Sequence, residues 1–292
     1  MTTQHGLPPD DGDEAKMSAT PEATRAAGLR LSARGYSTIR HVLVQNHEDP
    51  RPSVLGEMVR KRRHRALVLY LELLTWWPWL KSNHQPLSAD VWIRSLTAAD
   101  SASSRALTWS PSTLSRTWRE LEELGLIEPR RRSGRLTRVT PRREDGQGTY
   151  IAPSGGKDKG DRYFVLPEGF WVEGWFATLS FPALATLLIL LKETSNKPET
   201  WLPREKMSDW YGISGRTVQK GLTELEERGL VKKRSEVVAA PLSPNGITRR
   251  VHYSLTGPFS LDTRMSLRRT AAKARNKRRE QFESSDSASV TP

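Results

Sequence analysis

Apolar and polar positions in this chain fall twice into the same arrangement, a capped helical stripe followed by an extended basic run. In the later occurrence, residues 213–234, Val218, Leu222 and Leu225 recur at helical spacing and define one buried face. Gly215, Arg216, Gln219, Lys220 and Thr223 fall off that stripe and are expected to face outward. Ser214 stands at the N-cap position, where its hydroxyl can take a free amide of the first turn. Gly229 stands where a helix closes through the left-handed conformation. Leu230 and Val231 then open an extended run that carries Lys232, Lys233 and Arg234.

The earlier occurrence covers residues 109–132. Leu114, Trp118 and Leu121 form its stripe, leaving Ser112, Thr113, Ser115, Arg116 and Arg119 outward. Ser110 is its cap, Pro111 takes the first helical position, where no amide is needed, and Gly125 is its stop. Leu126 and Ile127, a turn at Ser133 and Gly134, and residues 136–139 predict a hairpin. Its tip gathers Arg130, Arg131, Arg132 and Arg135.

Setting Ser110 on Ser214 aligns the two stretches without a gap through Ile127 and Val231. Thr113/Thr217, Glu120/Glu224, Leu121/Leu225, Glu122/Glu226, Glu123/Glu227, Gly125/Gly229 and Leu126/Leu230 are identical. Two unrelated amphipathic helices would not share cap, stop and following strand in one register. A duplicated structural unit does.

The remaining pattern fills in around the pair. Residues 66–77 are apolar almost all round and predict a buried helix stopped at Pro78. Residues 89–96 and 101–107 are short helical candidates, and 163–166 a short strand. Ser180 caps a second buried helix over 182–191. Residues 204–211 form the helix before the later stripe, with Gly212 and Ile213 as the turn. Strands over 230–240 and 247–255, joined through Pro244, Asn245 and Gly246, give its hairpin, with Arg249 and Arg250 returning. Residues 1–26 lack periodicity and read as disordered, and Tyr36, Ile39, Val42 and Leu43 suggest only a short element. From Asp262 the chain is helical in composition and basic, either a nucleic-acid clamp or a solvated tail, and it ends in a polar stretch from Ser284 that reads as disordered.

The domain scheme that follows is a largely disordered arm over 1–55 and a first domain over 56–143. A linker over 144–161, a second domain over 162–260, and a basic helix and tail over 261–292 complete it.

Charge narrows the function. A net charge of +13 and a pI near 10.2 favour a polyanionic partner, since each neutralised phosphate releases counterions. The absence of cysteine excludes disulfides, thiol catalysis and cysteine-ligated metal, and fits a cytoplasmic protein. No apolar run reaches the roughly 20 residues a membrane span needs, and the acidic N-terminal stretch is no secretory signal. The cluster RKRRHR at 60–65 fits either a phosphate contact or the solvated first turn of a helix. His41 and His47 lack further ligands at metal spacing, so no metal or cofactor is expected. SGGKDKGD at 154–161 lacks the Ser or Thr after its lysine that a phosphate loop requires. Without a paired metal site and nucleophile the chain reads as no enzyme.

The segments SPSTLSRTWRELEELGLIE and SGRTVQKGLTELEERGLV resemble the winged helix-turn-helix DNA-binding domains of bacterial regulators, over about residues 60–257. The implied fold class is α+β, mainly α: two winged helix-turn-helix domains in tandem with a disordered N-terminus and a basic C-terminal helix. The resemblance implies that the second helix of each pair enters a major groove while the hairpin follows the backbone. Arg216, Gln219 and Lys220 would then read bases, with Thr217 near a phosphate. Ser112, Thr113, Ser115 and Arg116 would be their first-copy counterparts, unless that copy is a protein-contact domain. The implied role is transcriptional regulation on double-stranded DNA, with a plasmid-type replication initiator as the alternative. A homodimer is compatible with it. No small-molecule effector is expected.

Overall fold

Two leucine-rich helices hold this chain together, and each carries a capped, exposed helix on its flank. The computed structural model describes residues 19–45, 52–83, 86–98, 107–133, 136–156 and 158–288. It is α+β and mainly helical, with small antiparallel sheets. Helix α1 (Pro21–Ser32), strand β1 (Tyr36–Arg40) and helix α2 (Val54–Arg60) lead into the long α3 (His64–Ser82). Next come α4 (Ala89–Leu96), α5 (Pro111–Glu123) and the short hairpin β2 (Arg131–Ser133) and β3 (Leu136–Arg138). Strand β4 (Tyr163–Pro167) and the single turns α6 (Gly169–Val172) and α7 (Trp175–Thr178) precede α8 (Phe181–Glu193). The chain closes with β5 (Thr200–Trp201), α9 (Met207–Tyr211), α10 (Gly215–Glu227), β6 (Val231–Ala239), β7 (Ile247–Leu255) and α11 (Leu261–Ala288).

Identities between the two halves reach further back than the capped helices. Set His64 on Phe181 and Ala66/Ala183, Leu67/Leu184, Leu71/Leu188, Leu73/Leu190 and Leu74/Leu191 are identical, and α3 packs on α5 as α8 packs on α10. The two helix starts meet: the His64 and Phe181 rings stack at 4.9 Å and 8°. The buried apolar residues form one continuous cluster running from Ile39 through α3 and α8 to Phe259. Burial lowers the His64 imidazole to about 4, with Arg65 adding to the shift, so the stacked ring is neutral.

Four regions depart from the sequence expectations. The segment read as a disordered arm forms α1 and β1 over its described part. Thr20 caps α1, the Arg25 guanidinium donates to the Ser95 and Thr97 carbonyls at 2.7 Å each, and Gly28 lies so close to the Trp76 indole that no side chain would fit. These contacts are with residues far along the chain, which local periodicity does not report. β1 pairs antiparallel with β4, from Tyr36↔Pro167 to Arg40↔Tyr163, so the strand before the first copy closes on the strand before the second.

The stretch 144–161 is not a free linker. Glu144 is fully buried, its carboxylate accepts from the Arg40 backbone N–H at 3.0 Å and pairs with the Arg40 guanidinium at 2.9 Å. Asp161 pairs with the same guanidinium at 2.9 Å, and Tyr70 donates its hydroxyl to the Arg142 carbonyl at 2.9 Å. The polar composition that suggested a linker serves turns and a buried ion pair.

Helix α3 also runs through Pro78 to Ser82. Proline removes one amide donor, but the turn beyond it is retained: Asn83 donates to the Trp79 carbonyl at 2.9 Å and the Trp76 and Trp79 rings meet edge to face at 6.4 Å. Helix α11 likewise continues past Ser284, where a disordered tail was expected. The helical candidate at 101–107 lies outside the described residues except for Leu107, which is not helical.

Candidate nucleic-acid interface

Helix α10 is positioned from both ends. Ser214 accepts the Thr217 amide at 3.2 Å, with the Thr217 hydroxyl 2.9 Å away, as the sequence predicts for a cap. Gly229 has φ 69°, and so does its first-copy counterpart Gly125, where the helices stop. Val218, Leu222 and Leu225 are buried against α8. At the far end the Glu224 carboxylate accepts the Ser180 amide at 3.0 Å and pairs with Arg228 at 3.2 Å, and Arg228 donates to the Thr178 carbonyl at 2.8 Å.

The turn into α10 is braced by the first copy. Gly212 adopts φ 66°, and Ser53 donates its hydroxyl to the Tyr211 carbonyl at 3.1 Å. Gly56 of α2 packs so tightly on this turn that a Cβ there would stand 2.5 Å from the Tyr211 carbonyl oxygen. Tyr211 itself is buried and donates its hydroxyl to Glu193 at 2.7 Å, with the Lys192 ammonium over its ring at 5.6 Å. Burial pushes the Tyr211 phenol well up, and the adjacent Glu193 charge adds to the shift. What α10 presents outward on this fixed mount is Arg216, Gln219 and Lys220, all exposed and with no ion pair among the described residues.

Helix α5 repeats the cap and the stripe. Ser110 accepts the Thr113 amide at 3.2 Å, and its hydroxyl lies 3.0 Å from both the Ser112 and Thr113 hydroxyls. Leu114, Trp118 and Leu121 are buried, Ser112, Arg116 and Arg119 are exposed, and Thr113 and Ser115 are half-buried. Three residues, 212–214, separate α9 from α10, whereas residues 99–106 of the stretch between α4 and α5 lie outside the described residues.

Within the basic cluster at 60–65, Arg63 and Arg65 bracket the first copy. Arg63 donates to the Glu120 carbonyl at 3.1 Å and pairs with Glu123 at 2.5 Å, Arg65 donates to the Thr108 carbonyl at 3.1 Å, and Lys61 pairs with Glu57 at 2.6 Å. Arg60 and Arg62 remain exposed.

Acidic residues likewise tie down several of the expected hairpin contacts. Arg130 donates its backbone and side-chain N–H groups to Glu122 at 3.0 and 2.8 Å. Burial works against the Glu122 charge, but the Arg130 bonds and charge outweigh it and hold the carboxyl below its usual range. Lys233 pairs with Glu226 at 2.7 Å, and Arg234 with Glu199 at 2.5 Å. Arg131 and Arg132 lie on β2, and Arg135 lies outside the described residues. In the second hairpin the register sets Lys232, Arg234 and Arg250 on one face and Lys233 and Arg249 on the other. Arg250 stacks over the Trp201 ring at 5.0 Å, while Lys232 and Arg249 are exposed with no partner among the described residues. The expected hairpin contacts therefore cannot all meet one surface. Leu126 and Ile127 form only an isolated bridge, Ile127↔Pro141, before the first hairpin.

Among the described residues no group of three or more His, Asp or Glu side chains could hold a metal ion. His41 is half-buried against Phe164 and is lowered to about 4 by burial first and the Lys192 charge second; His47 lies outside the described residues. No described helix is long and apolar enough to cross a membrane. No protein-family model, curated protein or solved structure matches the chain.

Proposed function

We propose that this chain binds double-stranded DNA sequence-specifically through two tandem winged helix-turn-helix units and acts in transcriptional control. The observation that carries this reading is the outward face of α10, where Arg216, Gln219 and Lys220 stand unpaired on a helix held at both ends. Positions i, i+3 and i+4 share one helix face, so the three side chains can enter a groove together. Arginine or lysine can grip guanine O6 and N7, and glutamine can pair with adenine N6 and N7. The β6–β7 hairpin follows α10 directly and brings Lys232 or Arg249 toward the flanking backbone.

In this reading α10 is the principal reader. The first-copy hydroxyls at Ser112 and Thr113 are engaged with Ser110, leaving Arg116 and Arg119 as the exposed cations of α5. The replication-initiator alternative draws on the single continuous core, which would fix two contact surfaces at one separation on an iterated origin site.

The test is to enrich duplexes from a random pool on the full chain and then compare Arg216→Ala with the parent. The variant is expected to lose about 10- to 100-fold on the enriched duplex, as for one good base contact, and under about 3-fold on unrelated DNA. Equal binding of both duplexes by parent and variant would remove Arg216 as a reader.

A further inference from the structure

Outside α10, the C-terminal helix α11 carries a dense run of exposed cations. We propose that α11 is a second DNA-contact element, a sequence-independent arm that grips the phosphate backbone beyond the bases read by α10. This rests on the DNA-binding reading above and adds a distinct surface to it.

The base of α11 is built into the body. Arg264 is 3% exposed, and its guanidinium donates to the Thr194 carbonyl at 3.0 Å, the Thr194 hydroxyl at 2.9 Å and the Phe259 carbonyl at 2.9 Å. Burial, helped by Arg268, lowers it to about 10, so it remains a cation at neutral pH against the carbonyl end of α8. One turn later Arg268 lies over the Tyr163 ring at 5.5 Å, which fixes the helix beside β4.

Beyond that point the helix changes character. Residues 269–281 read RTAAKARNKRREQ, and all of them except the half-buried Ala271 are exposed. Their only apolar side chains are alanines. A membrane-surface helix or one that fills a protein groove needs a face of large apolar residues, and this stretch has none. It carries six cations, Arg269, Lys273, Arg275, Lys277, Arg278 and Arg279, against the single carboxylate of Glu280.

Arg269, Lys273 and Lys277 stand four apart on one face, and Arg275 and Arg279 repeat the spacing on another. Like charges at this spacing repel and weaken a helix standing alone. A row of phosphates relieves the repulsion. At 1.5 Å per residue the stretch spans roughly 20 Å, long enough to follow several phosphates of a duplex.

The experiment uses the full chain with Lys273→Gln, Arg275→Gln, Lys277→Gln and Arg278→Gln combined, changes that keep helix propensity and leave the Arg264 anchor intact. Affinity for the enriched duplex and for an unrelated duplex is measured over a series of salt concentrations. The slope of log affinity against log salt is expected to fall in magnitude by about 2–4 on both duplexes, at roughly 0.9 for each phosphate no longer neutralised. The ratio between the two duplexes is expected to stay within about 3-fold of the parent's, as sequence-independent contacts require. A slope equal to the parent's would overturn the arm, and a collapsed ratio with an unchanged slope would make α11 a reader instead. A parent that binds duplexes without base preference would remove the α10 reading while a reduced slope in the variant still supports the arm. A parent that binds no duplex overturns both.

Discussion

Glu72 stands in the middle of the apolar run of α3 and is 1% exposed. The Ser95 hydroxyl donates to one of its oxygens, and the other, Oε2, has no partner among the described residues. Burial raises its carboxyl from 4.5 to about 8, against the opposing pull of Ser95 and Arg25. Folding therefore takes up a proton between those two values. The stability that neutral Glu72 contributes is present below about pH 4.5 and is lost as pH rises toward about 8. Urea unfolding from pH 5 to pH 8 should show the parent losing stability relative to Glu72→Gln, by at most roughly 1.4 kcal/mol per pH unit. Parallel profiles would mean that Glu72 is ionised in the folded chain. At this scale the sequence was legible where the chemistry is local: Ser110, Ser180 and Ser214 each accept the amide three residues on. It was not legible for Glu122, Glu224 and Glu226, whose partners Arg130, Ser180 and Lys233 come from other elements.

Among the elements, α5 and α10 were readable from one stripe, one cap and one stop each. The brace on α10 was not, because Ser53 and Tyr211 lie 158 positions apart and nothing in either neighbourhood announces the contact. The brace makes a prediction of its own. Gly56→Ala should improve helix propensity in α2 yet drive a Cβ to 2.5 Å from the Tyr211 carbonyl oxygen. The expected net effect is a destabilisation of about 1–3 kcal/mol by urea unfolding, the usual range for overpacking. An unchanged or raised midpoint would show that α2 is free to move off the turn. The α3–α8 correspondence belongs between these cases. Its five identities are visible in the sequence once His64 is set on Phe181, but without caps or stops in common they lie below the signal that aligned α5 with α10.

For the whole molecule, the described buried residues form one core stitched by the β1–β4 pairing and the Arg40–Glu144 pair. A pairing that joins residue 40 to residue 163 has no local signature, and a Gly- and Asp-rich segment looks the same whether its turns are free or packed. Arg40→Ala leaves the Glu144 carboxylate buried and uncompensated, and should destabilise the chain by about 3–5 kcal/mol. In conditions where the variant remains folded, its preference for the enriched duplex should match the parent's. A variant as stable as the parent would place the pair outside the cooperative core.

The central claim is that α10 reads bases in a major groove through Arg216. The most direct measurement is methylation interference on the enriched duplex, since a methyl on guanine N7 blocks the acceptor an arginine would use. The parent should be hindered by methylation at a particular guanine, and Arg216→Ala should be indifferent to that same guanine while keeping the rest of the pattern. Identical patterns for parent and variant, or no guanine whose methylation matters, would contradict it.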